Sequence, residues 1–174
     1  MQPGDPGRRQ AMRKQGNGME NFKTLARRVL LLSGLTLGAV MPAEAMEEGA
    51  LTIDTGERSY RLNVEVARTA KERAFGLMER DRLASDAGML FVYQQQQSPS
   101  TGFWMHRTRI PLDIAFIGAD GKIRAIDSMA PCGNDVNARC PTYQAGVPFR
   151  YALEVNAGFF EAHDIQVGDR VDLP

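Results

Sequence analysis

The chain has 174 residues, 21 Lys and Arg against 21 Asp and Glu, and two cysteines. That length allows one domain with little left for a second. Residues 1–45 hold 7 of the basic and 3 of the acidic side chains, leaving 14 basic against 18 acidic in residues 46–174, a net of −4. A mildly acidic domain without a basic cluster excludes the dense cationic face that nucleic-acid binding needs.

The N-terminal segment has the layout of a secretory signal peptide. A basic opening through Arg8, Arg9, Arg13, Lys14, Lys23, Arg27 and Arg28 leads into the apolar run Val29–Met41, and "PAEA" places Ala43 and Ala45 in an A-x-A pattern. The run has 13 residues, whereas a helix needs about 20 to span a bilayer. The expectation is therefore removal of residues 1–45 and export of residues 46–174 as a single globular domain to the periplasm or beyond, with no stable membrane span. Met19 opens a tidier leader, "MENFKTLARRVLLLSG", which reads residues 1–18 as upstream of the true start. The Arg27-Arg28 pair also raises a twin-arginine route.

"LTIDTGERSYRLNVEVA" reads as two strands around Thr55-Gly56, with Tyr60, Leu62, Val64 and Val66 alternating against polar neighbours. "RTAKERAFGLMERDRL" predicts a helix, capped by Thr69 with Glu72 three positions on. Gly76 inside it marks close packing or an early end. "MLFVYQ" is short and apolar enough for a buried strand, and "QQQQSPST" reads as a polar loop.

"GFWMHRT" predicts a strand with Phe103, Met105 and Arg107 on one face and Trp104 and His106 on the other. Arg107–Pro111 then forms a bend. Trp104 is either core or a rim aromatic, and its residue type favours the core. "LDIAFI-GADG-KIRAIDSM" is a hairpin turned by Asp120-Gly121. "RYALEVNAG" is a further strand, "FFEAHDI" a short helix or turn, and "VGDRVDL" a closing strand. About seven or eight short strands with one main helix predict a mainly β, α+β domain. Its sheet should be antiparallel and curved or barrel-like, with a helix over one opening.

Cys132 and Cys140 lie in one loop, "APCGNDVNARCPTY". In an exported protein such an isolated pair most often forms a disulfide. The spacing fits neither a C-x-x-C redox motif nor a zinc finger.

Candidate chemistry is sparse. Asp113 in "PLDIAFI" and Glu154 in "ALEVNAG" are single acids in apolar strands, and a buried carboxylate needs a cationic or N–H partner. Arg73, Arg107 and Arg109 are the candidates to meet Asp113. Acids and arginines in apolar surroundings form either a site with perturbed titration or a structural ion-pair network. No G-x-S-x-G, H-E-x-x-H or phosphate loop is present. Met46, Met78, Met89, Met105 and Met129 could hold copper(I), but their scattered placement fits packing better. No cofactor is expected.

"KERAFGLMERDRL", "AGMLFVY", "GFWMHRTRIPLDIAFIGADGKI", the "PC…CPTY" loop and "ALEVNAGFFEAHDIQVGDRV" follow one another in an order that closely resembles the domain of unknown function 192 family. The resemblance covers roughly Leu51–Leu173. It implies a small β-rich α+β fold, often with a signal peptide, and no established biochemical role. Residues matching the family pattern are Arg73, Gly76, Leu77 and Met78; Met89 and Phe91; Trp104, Met105, Thr108, Pro111, Leu112 and Asp113; and Glu154 and Gly158. His106-Arg107 stands where the family usually has Lys or Arg followed by Asn.

These readings converge on a monomeric ligand-binding or accessory module. Arg73, Met78, Trp104, Met105, Arg109, Asp113 and Glu154 would line a groove for a small molecule, glycan or peptide. A hydrolase or lyase using Asp113 and Glu154 as an acid/base pair is the alternative, and metal handling through Met and His a weaker one.

Overall fold

In the computed structural model, residues 46–132 and 139–174 are described. The proposed leader, residues 1–45, lies outside the described residues, as does the middle of the cysteine loop. Nine strands form among the described residues, because apolar and polar side chains alternate along the outer ones, while the central ones carry apolar runs buried on both faces. The elements are β1 (Glu47–Asp54), β2 (Ser59–Ala67), α1 (Ala70–Phe75), β3 (Ala87–Gln97), β4 (Gly102–Trp104) and β5 (Leu112–Ile117). There follow β6 (Ile123–Met129), β7 (Thr142–Gln144), β8 (Phe149–Asn156), α2 (Phe159–Ala162) and β9 (Arg170–Asp172).

Seven strands make one sheet in the order β6-β5-β8-β3-β2-β1-β9, and β4 pairs with β7 in a second, small sheet. The large sheet curls until its edges meet. The Ile123 amide donates to the Asp169 carbonyl, the Gly168 amide to Ile123, and the Val171 amide to Gly121. The mainly β, curved architecture expected from the sequence is the observed one.

Curling divides the apolar side chains into two cores. Leu51, Leu62, Val64, Leu90, Ala115, Leu153, Val155 and Val171 fill the inner face, joined by Phe159 and Phe160 of α2. Met89, Phe91, Leu112, Ile114, Phe116, Phe149 and Ala152 occupy the outer face, covered by Leu77, Phe103 and Met105. A helix does cap the inner core, but it is the four-residue α2. The segment expected to be the main helix stays outside, with no buried residue in α1 itself.

Three details differ from the sequence expectation. The sheet is not wholly antiparallel, since β2 and β3 run parallel, as the crossover through residues 68–86 allows. The Thr69–Glu72 capping box forms, and the helix takes the early end that Gly76 marks, stopping at Phe75 instead of running through the whole segment. Gly76 then takes φ 52°, a left-handed conformation that side chains other than glycine's rarely adopt. The tetra-Gln is not loop: β3 runs through Gln97, which pairs with Phe149 after an irregularity.

Candidate functional site

Strand alternation fixes which acids can meet. Glu154 stands opposite Met89 on one side and Ile114 on the other, so it shares the outer face with those core side chains. Asp113 stands opposite Val155, one residue out of phase, and therefore faces the inner core. Cross-strand partners share a face and successive residues do not. The two carboxyls are on opposite sides of the sheet, which removes the acid/base pair as a reading.

Asp113 meets no arginine. Its carboxylate accepts from the Ser128 hydroxyl at 2.7 Å and from the Gly158 amide at 2.8 Å. It thereby ties β5 to β6 and to the start of α2. Of the expected suitors, Arg109 pairs with Asp81 at 2.7 Å on the surface. Arg107 pairs with Glu79. Arg73 donates to the Val92 carbonyl at 3.0 Å and to Arg68, with its guanidinium 4.7 Å from the centre of the Tyr93 ring.

Glu154 is different. It is only 5% exposed, yet its carboxyl has no ion pair or hydrogen bond among the described residues. Burial alone pushes it up to about 8, so the group is largely protonated at neutral pH. Thr108, also buried, lies beside it in the same cleft, and its hydroxyl likewise has no partner among the described residues. Neither side chain leaves a fully occluded, unsatisfied polar atom, so both keep access to solvent through the cleft.

The cleft runs between the segment from Arg73 to Met78 and the β4 strand. Leu77, Phe91 and Phe103 form apolar walls, and Glu154 and Thr108 supply the polar groups. Its free space is about 30 Å³, enough for one or two water-sized groups. Two exposed aromatics border it, Phe75 at 47% and Trp104 at 56%. Trp104 is thus a rim residue and not part of the core, because the three-residue β4 turns Phe103 inward and leaves Trp104 on the solvent side. His106 stacks on it, ring centroids 5.2 Å apart. A wider depression of about 500 Å³ near Arg68, Gln94 and Gln95 is bounded by exposed polar side chains.

Of the seven expected ligand-binding residues, Arg73, Met78, Trp104 and Glu154 come together at this cleft. Met105 is buried in the outer core, Arg109 is on the surface, and Asp113 is behind the sheet. Thr108, Phe75 and Leu77 were not singled out as site residues. Among the described residues no group of three or more His, Cys, Asp or Glu could hold a metal. Met89, Met105 and Met129 pack in the outer core, and His163 bonds to the Phe159 carbonyl. No described helix is long and apolar enough to cross a membrane. Cys132 and Cys140 are joined in a disulfide.

The "GLM", "GMLF" and "FWM…T…IPLD" elements that build this cleft and its floor lie within a match to the family DUF192, described as "Uncharacterized ACR", over residues 51–173. The chain belongs to the DUF192 family. Two solved structures are similar to this DUF192 chain. One is a proposed transcription regulator from Sinorhizobium meliloti, 32% identical, with a TM-score of 0.67, covering 75% of this chain and 97% of that one. The other is a protein of unknown function from Novosphingobium aromaticivorans, 31% identical, with a TM-score of 0.63, covering 78% and 91%. Comparison with curated proteins finds no match.

Proposed function

We propose that this DUF192 protein is an exported binding module of the cell envelope that takes one end-group of a small molecule, glycan or peptide into the Glu154 cleft. The observation that carries the reading is the Glu154 carboxyl itself. It is nine-tenths buried, without a partner among the described residues, and open to solvent only through a cleft with an aromatic rim. A buried polar group left unmatched costs stability, and such groups concentrate where a ligand completes the pairing. Room for about 30 Å³ favours the tip of a ligand over a whole sugar ring.

Export is supported by the signal-like leader and by the Cys132–Cys140 disulfide, which suits an oxidising compartment. The Sinorhizobium protein is described as a transcription regulator, a role that the charge of this chain does not favour. With 14 basic against 18 acidic side chains in residues 46–174, a DNA-binding face has little to be built from.

A thermal-shift screen with small molecules, glycans and peptides tests the binding reading. At least one compound is expected to raise the melting temperature of the wild type and leave Glu154→Gln unmoved. Ligands that act equally on both proteins, or a screen with no response, overturn it. Mass spectrometry of the exported protein is expected to show an N-terminus at Met46.

A further inference from the structure

Resting on that binding reading, we infer that the group entering the cleft is a primary ammonium carried on an alkyl chain. Three features select it. The acid at the floor has no cation of its own, because the guanidinium of Arg73 is held by the Arg68 and Val92 carbonyls over Tyr93. A buried carboxylate is tolerable when a cation is placed against it. The walls from Leu77, Phe91 and Phe103 are apolar, which suits methylenes behind a small charged tip. The exposed rings of Phe75 and of Trp104, one face of which His106 covers, border the mouth and attract cations through the ring quadrupole, whereas a carboxylate ligand would be repelled.

Binding is coupled to one proton. The acid form of Glu154 loses its proton to solvent as the ammonium enters, leaving carboxylate against ammonium, so charge and atoms balance. The titratable groups facing it or its rim are Arg73 from α1, Tyr93 from β3 and His106 against Trp104. β5 presents Ile114 and β4 presents Phe103. Burial also holds Tyr93 above its ordinary value, so it stays neutral through this range.

The test is calorimetry on the protein purified after export, with n-butylamine as the probe and n-butanol and butyrate as its neutral and anionic counterparts. Butylammonium is expected to bind, and the other two to bind at least tenfold more weakly. Glu154→Gln should lose tenfold or more, and Trp104→Ala should lose severalfold while melting normally. Buffers of different ionisation enthalpy should reveal close to one proton released per ligand at pH 6 and little at pH 9. His106→Gln should keep that release.

Equal affinity for n-butanol, or full affinity in Glu154→Gln, overturns the ammonium assignment. If n-butylamine fails while another compound binds the wild type and not Glu154→Gln, the ligand class falls and the binding reading stands. If nothing binds in a Glu154-dependent way, both fall. 1,4-Diaminobutane and a lysine-containing tripeptide, run in parallel, distinguish a free polyamine from a peptide side chain.

Discussion

The Glu154 carboxyl makes the protein's stability depend on pH in an unusual direction. Its folded value is raised from 4.5 to about 8, so between those limits the unfolded chain releases a proton that the folded chain keeps. Stability attributable to this residue is fully present below pH 4.5, declines as pH rises, and is lost above pH 8. The slope is about 1.4 kcal/mol per pH unit at most, a few kcal/mol over the whole window. Glu47, Glu72 and Asp120 are held below their ordinary values by Arg68, by the backbone amides of Thr69 and Arg68, and by the Lys122 amide. Their contributions lie in more acid solution and are complete by pH 5. Urea unfolding at pH 5, 6.5 and 8 is therefore expected to show declining stability in the wild type. Glu154→Gln, which carries no charge to desolvate, should show a much flatter profile and be the more stable protein at pH 8. A wild type as stable at pH 8 as at pH 5 would mean that the carboxyl ionises freely. At this scale the sequence distinguished little. Asp113 and Glu154 look alike, each a lone acid among apolar residues, and only the pairing partners show that one faces a hydroxyl and an amide while the other faces a cleft.

Among the elements, α2 is tied to the sheet at its entry by one side chain, the Asp113 carboxylate. A helix of four residues has no independent stability. Phe159 and Phe160 enter the inner core, and the entry turn is fixed by the Gly158 amide on Asp113. Asp113→Ala removes that acceptor and the one used by Ser128, with an expected cost of about 2–4 kcal/mol, since hydrogen bonds to charged groups count for more than neutral ones. Ser128→Ala should cost about 1 kcal/mol. Amide exchange at Phe160–Ile165 should accelerate in Asp113→Ala well beyond its effect on β2 and β3. Uniform acceleration would show that Asp113 supports the whole sheet and not α2 in particular. Element existence was legible where periodicity is strong, as in β2 and in the β5–β6 hairpin. It was illegible where tertiary pairing decided the outcome. The apolar positions Leu77 and Met78 continue a helical stripe, yet Gly76 ends α1 and turns them toward the cleft. Tetra-Gln carries no strand signal, yet β8 extends β3 through it. Arg107 sits at φ 57°, a left-handed conformation in which Asn is more at ease.

Across the whole molecule, the disulfide is the link between the loops and the site. The backbone of Cys132 pairs in an isolated parallel β-bridge with that of His106, the residue stacked on Trp104, while Cys140 leads into β7, whose Thr142 pairs with Trp104. The bond thus joins the two stretches of chain that flank Trp104, one of the two aromatics at the rim. The cysteine spacing in the sequence predicted the bond, but its connection to Trp104 required the second, two-stranded sheet, whose strands are too short to announce themselves. Closing so short a loop should contribute about 2–3 kcal/mol through the unfolded state, and the Cys132→Ser/Cys140→Ser double variant should lose that amount in urea. The consequence at the rim is separable from the loss of stability, because Trp104 is the chain's only tryptophan. At denaturant-free conditions, where the variant remains folded, its emission should shift and become more accessible to acrylamide. Affinity for n-butylamine should fall severalfold, with the Glu154 proton release retained. If emission and affinity are unchanged while stability falls, the disulfide stabilises the loop alone, and β4 is held over Glu154 by its own packing through Phe103 and Met105.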